Sequence, residues 1–379
     1  MPSILSDLRP VYVVGIGYHP YQYASETPYV SLGLHAIREA LGDAGIPWEA
    51  VESSYVATAL LGLAVGRPML RHLGALGKPL VHIENASASG SAAFRHACIE
   101  VASGISDVAL AVGVDKPPTG PIARATTGLP DLAEDAIVPF THFALITDEY
   151  AYRHGLDPRD VALVAVKNHA NGARNPNAQR QKVRTLDEVL TRPVAGTITA
   201  LQCTPVGEGA AAVIVASEEG IRRLGIDAGR AIRVASSAAG SEEAGNNLNP
   251  DMELTFKIMS RAISEAQITP RQLDLIELHD AFTIEEPIYA EATGICEQGE
   301  FVPMLKEGAW DIGGRCAISP SGGLIAMGHP VGPTGIGQVG EIVRQLRGEA
   351  GERQHKGANT GLAHMVGVGA VCYVHVLSK

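Results

Sequence analysis

Short apolar runs alternate with helix-spaced segments along the first 115 residues, an arrangement that predicts an open α/β sheet with mostly parallel strands. Val11-Tyr-Val-Val-Gly-Ile16 reads as a strand, and Ser31 to Leu41 has helical spacing. Leu80-Val-His-Ile83 and Asp107-Val-Ala-Leu-Ala-Val112 read as further strands, with a helix from Ala88 to Ser103 between them. Over 116–196 the period is lost and Pro, Thr, Asn and Arg accumulate, which predicts an insertion laid over a surface or a ligand rather than core. Alternation resumes with the strands Ala211–Ala216 and Ile232–Ser236, a helix near Asp251–Ala266, the strand Leu273–Leu278 and a closing strand Gly369–Val376. The order predicts two similar α/β halves: an N-terminal half from 1–115 and 197–228, interrupted by the insertion 116–196, and a C-terminal half 229–379.

Two helices lack a consistently polar face: Ala88 to Ile99, and the glycine-rich segment Pro333-Thr-Gly-Ile-Gly-Gln-Val-Gly340. Helices apolar or small all round are buried on all sides, so one such helix per half predicts a shared central layer. Each interior glycine costs about 1 kcal/mol of helix propensity, so close packing must hold these segments.

Composition narrows the function classes. Thirty basic against 41 acidic residues give a net charge of −11, the wrong sign for a nucleic-acid binder. With 46% hydrophobic residues the chain can build large cores, yet it has no apolar run of about 18 residues to span a membrane. The start, Met1-Pro-Ser-Ile-Leu-Ser-Asp-Leu8, lacks the pattern of a secretory signal, and the end, Leu377-Ser-Lys379, is not a peroxisomal tail. Five scattered cysteines without CxxC spacing predict a reducing, cytoplasmic location, with neither a disulfide framework nor a metal site.

Four segments carry candidate chemistry. In the strand-to-helix turn Glu84-Asn-Ala-Ser-Ala-Ser-Gly-Ser91, Ser87 is either a nucleophile beside free helix N–H groups or a helix cap. It has no Gly-x-Ser-x-Gly elbow, because Asn85 stands two residues before it. His279-Asp-Ala-Phe282 follows a strand end, where ligands bind in α/β sheets, although a satisfied cap reads equally well. Ser321 to Gly335 crowds glycines around His329 without the Gly-Lys-Ser/Thr of a phosphate loop. His364 lies in an apolar Gly-rich run, where a satisfied core histidine is the commoner outcome.

Together these segments resemble the thiolase superfamily, and most closely its sterol-carrier-protein-type branch. The family's Cys-Ala-Ser-Gly nucleophile motif resembles Ser87-Ala-Ser-Gly90, its His-Asp-Cys/Ala-Phe motif resembles His279–Phe282, and its Gly-His-Pro motif is Gly328-His-Pro330. The branch's His-Asn-x-Gly-x-Gly run is similar to His364–Gly369, with further support from Val166–Asn171 and Gln202–Ala212. The resemblance implies a five-layered αβαβα fold. It also implies an acyltransferase that cleaves a 3-oxoacyl-CoA with coenzyme A, or runs the reverse Claisen condensation. His329 would activate residue 87, His279 would hold a water at the enolate oxygen, and His364 would be the acid/base at the α-carbon. The N–H groups of Ser87 and Gly367 would form an oxyanion hole. Coenzyme A enters as substrate, with no bound cofactor, and Arg174, Arg180, Lys182 and Arg184 are the candidates for its phosphates. A homodimer and, as in several relatives, a small zinc-ribbon and OB-fold partner protein are implied.

Two departures matter. Ser87 stands where the family has its nucleophilic cysteine, and Ala281 where some members carry another. A serine needs a base at the moment of attack, whereas a thiolate forms ahead of it. The expectation is therefore a thiolase-type enzyme impaired by Ser87. The alternatives are a retro-aldolase cleaving a β-hydroxyacyl-CoA without an acyl-enzyme, and a non-catalytic lipid-carrier or scaffold subunit.

Overall fold

Alternation along the apolar runs sorts each strand's side chains to opposite faces, and in the computed structural model, which describes residues 4–117, 139–241, 243, 250–367 and 371–379, both faces are covered. The first half opens with β1 (Val11–Gln22), α1 (Tyr29–Ala44), β2 (Ser53–Ala57), α2 (Gly66–Arg71), β3 (Leu80–Ile83), α3 (Ser89–Ala102) and β4 (Val108–Asp115). An excursion follows with α4 (Pro139–His154), α5 (Leu163–Gly172), α6 (Leu186–Val189) and the small hairpin β5 (Pro193–Ala195) and β6 (Ile198–Thr199). After β7 (Glu208–Ser217) and α7 (Glu218–Leu224), the second half holds β8 (Ile232–Ser241), α8 (Pro250–Glu265), β9 (Leu275–Glu277), α9 (Glu285–Ala292) and α10 (Phe301–Lys306). It ends with β10 (Ala317–Ile318), α11 (Gly323–Ala326), α12 (Thr334–Arg347), β11 (Thr360–Gly367) and β12 (Val371–Ser378).

Ten strands pair in the order β10-β9-β11-β12-β8-β1-β7-β4-β2-β3. From the middle outwards each half repeats one arrangement, β1-β7-β4-β2-β3 on one side and β8-β12-β11-β9-β10 on the other. The halves join where β1 and β8 pair through Tyr12–Arg233 and Val13–Ile232. The expectation of a mostly parallel sheet is corrected. β2 is parallel to β3 and β4, and β9 to β10 and β11, but β7 and β12 run antiparallel to both their neighbours. β12 follows β11 after three residues, too few for the crossover that a parallel neighbour requires, whereas β7 returns to the sheet only after the helices of the excursion. The run holding His364 is itself a strand, β11, and β12 lies inside the sheet between β11 and β8.

Strand β4 shows how the layers form. Val108, Leu110 and Val112 pack outward with Leu32 and Ile37 of α1, while Ala109 and Ala111 face inward with Phe94 of α3 and Ile336 and Val339 of α12. On the other half α8 places Ile258, Met259 and Ala262 against Val374 and Val376 of β12. Helices α3 and α12 thus share the layer between the two half-sheets, as their small residues predict. A Cβ on Gly90 would stand 2.5 Å from the Gly332 carbonyl oxygen, and one on Gly335 2.6 Å from the Ser91 nitrogen. Gly337 and Gly340 of α12 lie beneath the hydroxyls of Tyr21 and Tyr18, contributed by β1.

The excursion is not merely a cover. Val161, Ala162, Val164 and Ala165 join the core of the second half, together with Val189 and Ile198, because α5 packs against α11. The β5–β6 hairpin spans the boundary expected at 196/197, and regular sheet structure resumes at Glu208. Among the described residues no helix is long and apolar enough to cross a membrane.

The α3–α12 contact yields a stability prediction. Gly90→Ala forces a methyl group against main chain that has no room to yield, and the expected loss is about 1–3 kcal/mol, read as a lower urea midpoint at unchanged slope.

Candidate active site

The turn between β3 and α3 is held by its own polar groups. Ser89 Oγ accepts the Asn85 N–H at 2.8 Å and donates to the Ala86 carbonyl at 2.6 Å. Ala86 is forced to a φ of +49°, a conformation that costs a non-glycine residue on the order of 1 kcal/mol. The next residue, Ser87, projects from this bend. It does not cap α3: the cap position is Ala88, and the Ser87 hydroxyl instead donates to His329 Nε2 at 3.0 Å.

His329 comes from the equivalent place in the other half, the loop ahead of α12. Positive φ values at Ser319, Gly322, Gly323 and Gly328 turn that loop back on itself. The Thr334 hydroxyl donates to the Pro330 carbonyl at 2.6 Å. Its single proton is thereby used, so it accepts from His329 Nδ1–H at 2.8 Å. Nδ1 carries the hydrogen, and Nε2 presents its lone pair to Ser87. Burial, reinforced by His279, pushes the His329 pKa down to about 3.

His279 stands just past β9, its ring edge-on to His329 with centroids 5.6 Å apart. Its Nδ1 lies 3.1 Å from Glu285 Oε1, and the other oxygen of that carboxylate accepts the Phe282 N–H at 2.8 Å. Tyr289 donates to Glu285 Oε1 at 3.3 Å and packs edge-on against His364, centroids 4.8 Å apart. His364 projects from β11 to bond Thr255 of α8 at 3.1 Å. Burial and the neighbouring His279 hold its pKa well below the usual imidazole value. His279 Nε2 and His364 Nδ1 are both buried without a protein partner. Gly367 of β11 presses its α-carbon against the Asn85 carbonyl, and a Cβ there would also stand 3.3 Å from the Ala88 side chain. Four distant segments therefore meet: Ser87 bonds His329, His329 faces His279, Tyr289 links His279 to His364, and Gly367 abuts the Ser87 turn.

A buried polar frame supports these loops. Asp115, at the end of β4, accepts from Thr58 Oγ1, from the N–H groups of Ala59 and Leu60, and from that of Gly332. Asp280 receives Leu324 N–H at 2.7 Å and Asn168 Nδ2 at 2.7 Å; burial and the nearby Glu286 push its carboxyl well above the usual range. Lys167 pairs with Glu286 at 3.0 Å, both side chains almost wholly buried. Glu277 holds Ser321 through its N–H and hydroxyl, and burial with Glu341 raises its pKa to about 8.

The basic candidates divide. Arg180 is drawn inward: its Nη1 donates to the Cys203 and Ile325 carbonyls at 2.8 and 2.9 Å. Both bonds use one guanidinium nitrogen, which ties the excursion to α11. Lys182 and Arg184 flank Glu188 at 3.8 and 3.4 Å, and Arg174 is exposed. All five cysteines lie away from the Ser87 turn, at Cys98, Cys203, Cys296, Cys316 and Cys372, and burial raises the pKa of every one.

Sequence reasoning passed over the groups that fix the rings: Thr334, Glu285, Tyr289 and Thr255. The spacing His279 to Glu285, strand end to first helical turn, and His329 to Thr334, loop to first helical turn, was the available signal.

The fold is a duplicated α/β architecture in which the turn carrying Ser87 in one half is set against histidine loops of the other. The family description "Thiolase, N-terminal domain" matches residues 16–190 and "Thiolase C-terminal domain-like" matches 250–379. Sterol carrier protein 2 of Gallus gallus is 35% identical over 97% of this chain and 71% of its own length. Benzoylsuccinyl-CoA thiolase subunit BbsB of Thauera aromatica is 32% identical, covering 95% of each. Among solved structures, the Ltp2-ChsH2(DUF35) aldolase superposes with a TM-score of 0.83 at 21% identity, covering 98% of each chain. The chain belongs to the thiolase family, and these relationships support a thiolase-like function on acyl-CoA.

The His329 arrangement is directly measurable. In ¹⁵N NMR of ring-labelled protein, His329 is expected to show protonated Nδ1 and bare Nε2 from pH 8 down to pH 5, because its pKa is depressed to about 3. A titration centred near 6.5 would contradict this.

Proposed function

We propose that this protein cleaves the bond between the α- and β-carbons of an acyl-CoA, and that it does so by retro-aldol reaction on a 3-hydroxyacyl-CoA. The observation that carries this reading is the oxygen nucleophile: Ser87 bonds His329 at 3.0 Å, and none of the five cysteines stands at that turn. An acyl group placed on serine becomes an oxygen ester, from which return to the thiol of coenzyme A is uphill. Retro-aldol cleavage needs no acyl-enzyme. It needs a base for the β-hydroxyl and a pocket for the enolate.

His279 suits the base. Its Nδ1–H is given to Glu285, so Nε2 takes the hydroxyl proton and the carboxylate stabilises the imidazolium that results. The Cα–Cβ electron pair moves onto the thioester as an enolate, the β-carbon becomes a carbonyl, and the same imidazolium returns its proton to the α-carbon. The Ser87 and Gly367 N–H groups are the proposed oxyanion donors, Gly367 lying against Asn85 and Ala88 on either side of Ser87. Arg174, Arg180, Lys182 and Arg184 are the proposed phosphate contacts. The aldolase named among the structural neighbours supports this chemistry in the fold.

Assembly is part of the reading. β3 is a sheet edge with Val81 43% exposed, which supports a homodimer formed along it. BbsB is named as a subunit and Ltp2 was solved with ChsH2(DUF35), which supports a second polypeptide. The five unpaired cysteines support a cytoplasmic location.

A second reading, thiolase-type cleavage of a 3-oxoacyl-CoA, is favoured by the retained hydrogen bond between Ser87 and His329. Ser87→Ala separates the two, because it keeps the backbone N–H. The retro-aldol reading expects 3-hydroxyacyl-CoA cleavage, followed by chromatography without added coenzyme A, to persist in Ser87→Ala and to fall about 100-fold in His279→Ala. Coenzyme A-dependent cleavage of a 3-oxoacyl-CoA that Ser87→Ala abolishes and Ser87→Cys raises would return the assignment to thiolase.

A further inference from the structure

The retro-aldol reading leaves one well-built device unused. Ser87 sits after a strained left-handed residue, Ala86 at φ +49°, at the junction of β3 and α3. Ser87 is half-buried, and its hydroxyl donates to His329 Nε2 at 3.0 Å. His329 is in turn held by the Thr334 hydroxyl at 2.8 Å, which is fixed by its own 2.6 Å bond to the Pro330 carbonyl. A nucleophile, a base in the required tautomer and a third group that orients the base are the parts of a serine acyl-transfer centre. The sequence lacks the Gly-x-Ser-x-Gly signature, yet Ala86 adopts the strained turn by other means, locked by both hydrogen bonds of Ser89.

We propose that Ser87, His329 and Thr334 give this protein a second activity, hydrolysis of acyl-CoA thioesters through an acyl-Ser87 ester. The inference rests on the acyl-CoA reading of the site but not on the retro-aldol step. His329 Nε2 removes the Ser87 proton as Oγ attacks the thioester carbonyl. The C–S bond breaks, and the sulfur leaves with the proton held on His329. Water then attacks the ester carbonyl while giving a proton to the same Nε2, the C–Oγ bond breaks, and Ser87 recovers its proton. The products are a carboxylic acid and free coenzyme A, with no change of oxidation state.

The identity of residue 87 sets the direction. A thioester acyl-enzyme is nearly isoenergetic with acyl-CoA and exchanges with it. Passing from thioester to oxygen ester is downhill, so coenzyme A is a poor acceptor of the acyl group and water becomes the outlet. Thr334 acts only through His329 and is a positioning residue. Without its hydroxyl the ring is free to adopt the other tautomer, which offers Ser87 a hydrogen where a lone pair is required.

Two readouts test this on the intact chain. A fluorophosphonate probe, which reports nucleophilic serines without needing any acyl-CoA, is expected to label Ser87, as located by peptide mass spectrometry. Release of coenzyme A from acetyl-CoA and decanoyl-CoA, followed with a thiol reagent, is expected for the wild type and lost in Ser87→Ala. Thr334→Val should slow both by about 10- to 100-fold, with Thr334→Ser restoring them and the ¹⁵N signature of His329 following the same order. Labelling of Ser87 no faster than of surface serines, or coenzyme A release equal to that of Ser87→Ala, would overturn the proposal. Retro-aldol activity persisting in the face of that result would leave the function proposed above intact. Probe labelling without coenzyme A release would sink the hydrolase and locate the fault in acyl-CoA recognition.

Discussion

The contact between α3 and α12 is the constraint on which the rest depends. Each helix follows a loop that carries one member of the Ser87–His329 pair, Ser87 ahead of α3 and His329 ahead of α12, at equivalent places in the two halves. The two helices approach until Gly90 meets the Gly332 carbonyl and Gly335 meets Ser91, and that closeness brings a hydroxyl and an imidazole 242 positions apart to 3.0 Å. The glycines cost about 1 kcal/mol each as helix residues, and any side chain there would separate the two loops. The local loss is offset by tertiary burial, in which Ile336, Val339 and Phe94 are fully enclosed.

Burial also sets the electrostatics. A site closed over by two half-sheets is a poor place for charge, so His329 and His364 stay neutral, while Asp280 and Glu277 hold their protons more tightly than exposed carboxyls do. Buried ion pairs are exceptions: Arg353 pairs with Glu341, and Lys167 pairs with Glu286, where Lys167 also bonds the Asn168 side chain and the Ile318 carbonyl. Such pairs are weak evidence for stability, because desolvation offsets their attraction. The role of Lys167–Glu286 is geometric, tying α5 to α9.

Much of this architecture was legible in the chain. Leu80–Ile83 matches β3 residue for residue, and the all-round small faces of α3 and α12 announced the central layer because only close packing rewards them. Other parts were not legible. β2, Ser-Ser-Tyr-Val-Ala, lacks an apolar run since its neighbours and not its composition bury it. β11 was masked by glycines at Gly361 and Gly367, needed where Ile342 and Asn85 press on the strand. Arg180 reads as a surface cation in sequence, yet two carbonyls exposed by irregular main chain draw it inward. The groups that orient the imidazoles escaped for a common reason. Thr334, Glu285 and Thr255 are the residue types that cap helices or face solvent, and their partners are fixed only by tertiary structure.

The two imidazoles nearest Ser87 differ in what stands behind them, and that difference divides their chemistry. His329 is backed by a neutral hydroxyl, which fixes its tautomer but does little to stabilise a positive ring; it serves as a base only while a neighbouring group gives the proton up in the same step. His279 is backed by the Glu285 side chain, which orients the ring and leaves Nε2 without a protein partner. In the reactions proposed, His279 is the base while a carbon–carbon bond opens, and His329 is the base that passes a proton from nucleophile to leaving group. With sulfur at residue 87, His329 would serve an exchangeable acyl carrier. With oxygen there, the exchange partner is lost, and the proposed route to carbon–carbon cleavage runs through His279 and needs no acyl-enzyme.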